Sequence, residues 1–165
     1  MKEAIASEWE RRLDELLPLF GHRNWIVVAD SAYPAQSKPG IETIATGEDQ
    51  LQVVQTVKDA IAAAGHVRAN IYLDSEVRFV AEDDAPGVVD YTRQLDGILY
   101  GAGVKHMLHE QIIARLDESG EVFRILVIKT NMTIPYTSVF FEMDCGYWDS
   151  EAEERLREAM AGTTF

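Results

Sequence analysis

Strands and helices alternate along this chain, which predicts an α/β fold. The expected arrangement is three-layer α/β/α around a mostly parallel or mixed central sheet, with one extra helix at the C-terminus. Trp25–Ala29 is a continuous apolar run of the kind found in strands covered on both faces, and Val122–Ile128, interrupted only by Arg124, also reads as a buried strand. Between and around them, apolar residues recur at spacings of three and four, the mark of helices packed on one side. The length of 165 residues, without an internal repeat, a low-complexity segment or a linker, points to a single domain over residues 1–165.

Ser7 followed by Glu10 has the form of a capping box. From there Ile5, Trp9, Leu13, Leu16, Leu17 and Phe20 make one helical stripe, which Gly21 is expected to end. The strand Trp25–Ala29 stops at Asp30, and Tyr33-Pro34 opens a loop. Thr46 is placed to cap a second helix in which Leu51, Val54, Val57 and Ile61 face one way, closed by Gly65. Residues 70–73 read as a short second strand. Pro86 suits a first helical turn, with Val89, Leu95 and Ile98 following. Residues 101–107 fit no single pattern. His109 to Leu116 reads as a helix, Val122 to Ile128 as a buried strand, and Ser138 to Met143 as the last strand behind a Pro135-Tyr136 turn. Asp149 to Met160 is an acidic amphipathic helix with Leu156 and Met160 four apart.

The formal net charge of −13 excludes several classes of partner. Phosphate binding needs clustered Lys and Arg, so nucleic acid and an anionic membrane surface are both unexpected. Cys145 is the single cysteine, which rules out an intrachain disulfide and a thiolate metal cage. It reads as a packed or partly packed thiol rather than a reactive one, with no basic neighbour to activate it. Met1 to Glu10 holds three acids and no long apolar run, unlike a signal peptide. No apolar stretch approaches the ~18–20 residues of a membrane span. A cytoplasmic protein is the expectation, and the Asn131-Met132-Thr133 sequon is then idle.

Open α/β sheets bind ligands beyond the carboxyl ends of their strands, and Asp30 follows such an end. It is either a functional acid or a loop cap. His22 lies past the first helix, whose C-terminal partial charge favours a protonated imidazole. It is either a general acid or a cap for the helix carbonyls. His106 and His109 are three apart with Glu110 following, yet no His-Glu-x-x-His motif and no cysteine pair accompany them. No metal site is assigned. Nor is there a phosphate loop, a Gly-x-Ser-x-Gly elbow or a dinucleotide fingerprint, so no cofactor is expected.

Gly21-His22-Arg23-Asn24, an apolar strand, then Asp30-Ser31-Ala32-Tyr33-Pro34-Ala35-Gln36-Ser37 resembles the opening signature of the ribose pyranase / fucose mutarotase (RbsD/FucU) family. Two further pieces follow in the family's order. His109-Glu110-Gln111 resembles the start of a late helix, and Pro135-Tyr136-Thr137-Ser138 sits where the family has Tyr-x-Asn. The resemblance covers roughly residues 8 to 147. It implies an RbsD-like fold and a cofactor-free isomerase that interconverts anomers or ring forms of a free monosaccharide. It also implies a ring-shaped homo-oligomer, ten subunits by analogy, with sites at the subunit contacts. Under it His22 is the proton donor and Asp30 a catalytic and sugar-contacting acid, while His109, Tyr136 and Ser138 bind the sugar. A non-catalytic, sugar-sensing member is the alternative, and a metal enzyme using His22, Asp30 and His109 a second one.

Three departures from the family pattern carry their own expectations. Ser138 replaces Asn, which predicts weak activity on ribose or fucose. The span from His109 to Tyr136 is long, which predicts an extended hairpin around Lys129 to Thr133. Beyond Cys145-Gly146 the chain adds a helix and a tail to Phe165. Aromatic residues at Phe140, Phe141, Tyr147 and Trp148 add to the expectation of an oligomer.

Overall fold

Ser7 opens the first helix in the way its spacing to Glu10 requires. In the computed structural model, which describes residues 6–164, the Ser7 hydroxyl accepts from the Glu10 amide at 3.4 Å. The Glu10 carboxylate accepts from the Ser7 amide at 2.7 Å. The helix that follows, α1 (Glu8–Leu16), buries Trp9, Leu13 and Leu16. Ile5 and Phe165 lie outside the described residues. Gly21 does not end the helix. Pro18 cannot supply the next helical N–H, so the chain tightens into a 3₁₀ turn at Leu17–Leu19.

The other elements are β1 (Trp25–Ala29), β2 (Ile41–Ala45), α2 (Gln50–Ala64), β3 (Val67–Asp74), α3 (Val88–Ile98), β4 (Lys105–Met107), α4 (His109–Gly120), β5 (Ile125–Lys129), β6 (Val139–Cys145) and α5 (Ser150–Met160). Six strands form one mixed sheet in the order β2-β5-β1-β6-β3-β4. All neighbours are parallel except β6, which runs antiparallel to β1 and β3. The carboxyl ends of the other five strands therefore share one edge with the start of β6.

Alternation along the strands divides the core between two faces. Ile26, Val28, Ile71, Leu73, Leu126, Ile128, Phe141 and Met143 pack under α1, α2 and α3. Trp25, Val27, Tyr72, Ile125, Val127 and Phe140 meet Ile112 and Leu116 of α4 on the other. This is the expected three-layer arrangement. Helix α5 has no buried residue among those described. No helix of the described residues is long and apolar enough to cross a membrane.

Several local expectations change. Residues 41–45 form the edge strand β2, paired on one side only, so burial leaves a weak mark on its sequence. Asp49, not Thr46, caps α2 by accepting from the Gln52 amide at 3.1 Å. Thr46 instead donates to the Lys129 carbonyl, pinning the turn to β5. Gly65 closes α2 as expected, at φ 71°. Residues 101–107 contain the three-residue edge strand β4, and Pro86 stands one residue before Gly87, the α3 cap. The hairpin around 129–133 does not form. β5 and β6 both pair with β1 and lie on opposite sides of it, so the connecting loop crosses the end of β1.

Candidate functional site

The shared carboxyl edge brings together residues far apart in sequence. A cleft of about 300 Å³ there is lined by Asp30, Tyr33, Pro34, His109, Ile113, Pro135 and Tyr136, among others. Asp30 follows β1, His109 is the first residue of α4 after β4, and Tyr136 lies in the loop entering β6. The rings of His109 and Tyr136 meet edge to face, centroids 5.7 Å apart. Tyr136 adopts φ 59°, a left-handed conformation that costs a non-glycine residue ~1–3 kcal/mol.

Behind His109 stands Asp74, the last residue of β3, which is 0 % exposed. Its Oδ2 lies 3.0 Å from His109 Nδ1, while its Oδ1 is buried with no hydrogen-bond partner among the described residues. Burial pushes the Asp74 carboxyl up to about 6, against the opposing pull of His109. The His109 amide donates to both carboxylate oxygens of Glu76, at 3.0 and 3.1 Å, which fixes the start of α4. Tyr33 is raised to about 12, chiefly by burial and then by the charges of Asp117, Asp74 and Asp30. It is therefore a neutral hydrogen-bonding phenol at physiological pH.

Two expected site residues sit elsewhere within the chain. Ser138 is only 3 % exposed and lies behind Asp30 rather than on the cleft wall. Its hydroxyl is 3.2 Å from Asp30 Oδ1 and accepts from the Asp30 amide at 3.4 Å, so it orients the acid. His22 lies at the opposite edge of the sheet. The five residues of β1 alone separate it from Asp30 by roughly 16 Å, at ~3.3 Å per residue. There His22 Nδ1 is 3.0 Å from Asp144, which Arg68 also holds at 3.0 Å. Burial tends to raise Asp144, but hydrogen bonds from Arg68, the Cys145 amide and His22 outweigh it and hold the carboxyl below its ordinary range. His22 opens into a second, larger cleft of about 620 Å³ with Arg23, Asn70, Arg115 and Glu142. It does not cap helix carbonyls. His66 does so instead, with its Nε2 3.0 Å from the Phe20 carbonyl.

Residues 7–145 match the model of the RbsD / FucU transport protein family. The chain belongs to the RbsD/FucU family. No curated protein matches the sequence at comparable strength. Among solved structures it is similar to RbsD of Bacillus subtilis complexed with D-ribose, with a TM-score of 0.59, 15 % identity and coverage of 87 % of this chain and 97 % of that one. It is also similar to the fucose mutarotase of Streptococcus pneumoniae in complex with L-fucose, at 0.53, 17 %, 81 % and 91 % on the same measures. FucU of Bifidobacterium longum gives 0.51, 15 %, 81 % and 94 %. At such identity these structures establish the RbsD/FucU fold.

The RbsD/FucU signature in the sequence led to Asp30, His109 and Tyr136, which one chain brings together. It did not lead to Asp74, Glu76 or Tyr33. For Asp74 a signal existed, since it directly follows the apolar run at residues 71–73 just as Asp30 follows β1.

Proposed function

We propose that the protein binds a free monosaccharide in the Asp30–His109–Tyr136 cleft and interconverts its anomers or ring forms without a cofactor, in the cytoplasm. The observation that carries this reading is the His109 imidazole, braced by a buried carboxylate and set beside a second acid and two phenols. Family membership and the sugars bound by the relatives of Bacillus and Streptococcus support it.

The chemistry fits these groups. A base takes the proton of the anomeric hydroxyl while the bond between C1 and the ring oxygen breaks and its electron pair moves to that oxygen. An acid protonates the oxygen, giving the open-chain carbonyl, and reversal on either face completes the exchange. Asp30 and His109 provide acid–base groups and the Tyr136 phenol a sugar contact. His22 serves as the proton donor in this reading only when a second copy of the chain delivers it, because its own strand holds it at the other edge.

His22→Ala and Asp30→Asn are each expected to slow anomer exchange at least ~10²-fold by saturation-transfer NMR. Mixing the two variants after reversible dissociation should regain part of the activity, since some hybrid contacts then carry both intact residues. Unchanged rates in His22→Ala remove it as the donor. A second reading, sugar binding without catalysis, is favoured by one observation: a single chain assembles the cleft without His22. Sugar binding with no line exchange under any tested sugar would establish that reading instead.

A further inference from the structure

Asp74 makes an unusual use of a buried carboxylate. Its side chain is 1 % exposed and forms one hydrogen bond, to His109 Nδ1, while the second oxygen remains without a partner among the described residues. An ionised carboxylate placed like this is normally costly, because buried charge calls for several donors. The titratable groups around it are His109 on α4, Glu76 in the turn after β3, Asp30 after β1, Tyr33, and the buried Tyr91 on α3. Among these described residues, His109 is the one that favours the charged carboxylate. The Glu76 carboxylate fixes the His109 backbone rather than its ring.

We propose that Asp74 is the positioning residue of this site, holding His109 in the tautomer with hydrogen on Nδ1 and leaving Nε2 as the unprotonated nitrogen available to a sugar hydroxyl. This rests on the sugar-isomerising reading of the cleft. A carboxylate only accepts, so it selects an imidazole that donates from Nδ1, and it stabilises the imidazolium formed when Nε2 gains a proton. Burial raises the Asp74 carboxyl to about 6, which leaves it predominantly ionised at neutral pH and above.

The test is ¹⁵N NMR of the histidine rings in the intact protein, with His109→Ala used to assign the resonances, joined to anomer-exchange kinetics. The wild-type His109 should show the Nδ1–H tautomer above pH ~7. In Asp74→Asn the amide can donate to Nδ1, so the ring should switch to Nε2–H. Exchange should then fall ~10²–10⁴-fold in kcat, the range of a positioned acid–base group, with KM changed by less than about threefold. The exchange rate of the wild type should decline as the pH drops through about 6, and this step should be missing in Asp74→Asn. A wild-type ring with hydrogen on Nε2 overturns the proposal even where the variant fails to fold. An unchanged tautomer in a folded Asp74→Asn overturns it as well. The predicted tautomers in a protein that exchanges no sugar would leave the positioning role standing and remove the catalytic reading.

Discussion

At the scale of single residues, the cleft holds its chemistry at a cost in stability. Asp74 rises from an ordinary 3.8 to about 6, and at ~1.4 kcal/mol per pKa unit its ionisation opposes folding by about 3 kcal/mol. Because the folded value is the higher one, stability from this group is complete below about pH 4 and lost as the pH rises through about 6. Asp74→Asn should therefore gain on the wild type by up to ~3 kcal/mol between about pH 3.5 and about pH 8, measured by urea denaturation. A difference that does not vary with pH would show that Asp74 ionises as freely in the fold as outside it. Ser138 makes a second case. Its short hydroxyl reaches Asp30 and no farther, whereas Asn carries an acceptor and two donors on a longer side chain. Ser138→Asn should raise exchange on ribose or fucose by about tenfold, the worth of one hydrogen bond of ~1–1.5 kcal/mol. Equal rates on those sugars in wild type and variant would mean that residue 138 does not select the substrate.

At the scale of elements, the turn that follows β6 leaves no room for a side chain at Gly146. A Cβ on Gly146 would stand 2.6 Å from the Gly65 carbonyl oxygen and 2.9 Å from the Val67 nitrogen, both backbone atoms at the junction of α2 and β3. Gly146→Ala should destabilise the protein by ~1–3 kcal/mol, the usual penalty of overpacking, read from the shift in thermal midpoint. The capping box, β1, α4 and β6 were all legible in the sequence because each follows from contacts between near neighbours or from burial on both faces. The edge strands β2 and β4 were not, since a strand paired on one side and half exposed leaves little pattern. The loop before β6 misled for another reason: strand order is a long-range property, and nothing within 129–138 says that β1 lies between its two ends. The site divides along the same line. Asp30, His109 and Tyr136 stand within recognisable motifs, whereas the pairing of Asp74 with His109 depends on β3 and β4 being neighbours.

At the scale of the whole molecule, Phe140 and Phe141 complete the chain's own core, leaving Tyr147 and Trp148 as the exposed part of the expected aromatic contact. Helix α5 lies beyond the family match, and its side-chain hydrogen bonds and ion pairs among the described residues are local, such as Trp148 Nε1 donating to Glu153 at 2.9 Å. Removing residues 149–165 should change stability by less than ~0.5 kcal/mol, as surface changes usually do. Light scattering should return a multiple of 18.5 kDa for the full chain and the same subunit count after truncation. A truncated form that alone becomes monomeric would assign the assembly contact to α5.

The strand order also sets a timetable for synthesis. β1 is the most deeply buried strand, yet Trp25 pairs only with Ile125 and Glu142. On the ribosome this apolar segment emerges early and waits for both partners. At ~5–20 residues per second, the first takes roughly 5–20 s longer to appear. During that interval α1 and α2 can form from local contacts, but the layer that should separate them from α4 does not yet exist. β6 is the last strand of the sheet in sequence and joins β2-β5-β1 to β3-β4, so the sheet cannot close before residues 139–145 have emerged, and a nascent chain stalled before residue 139 leaves one edge of β1 unpaired.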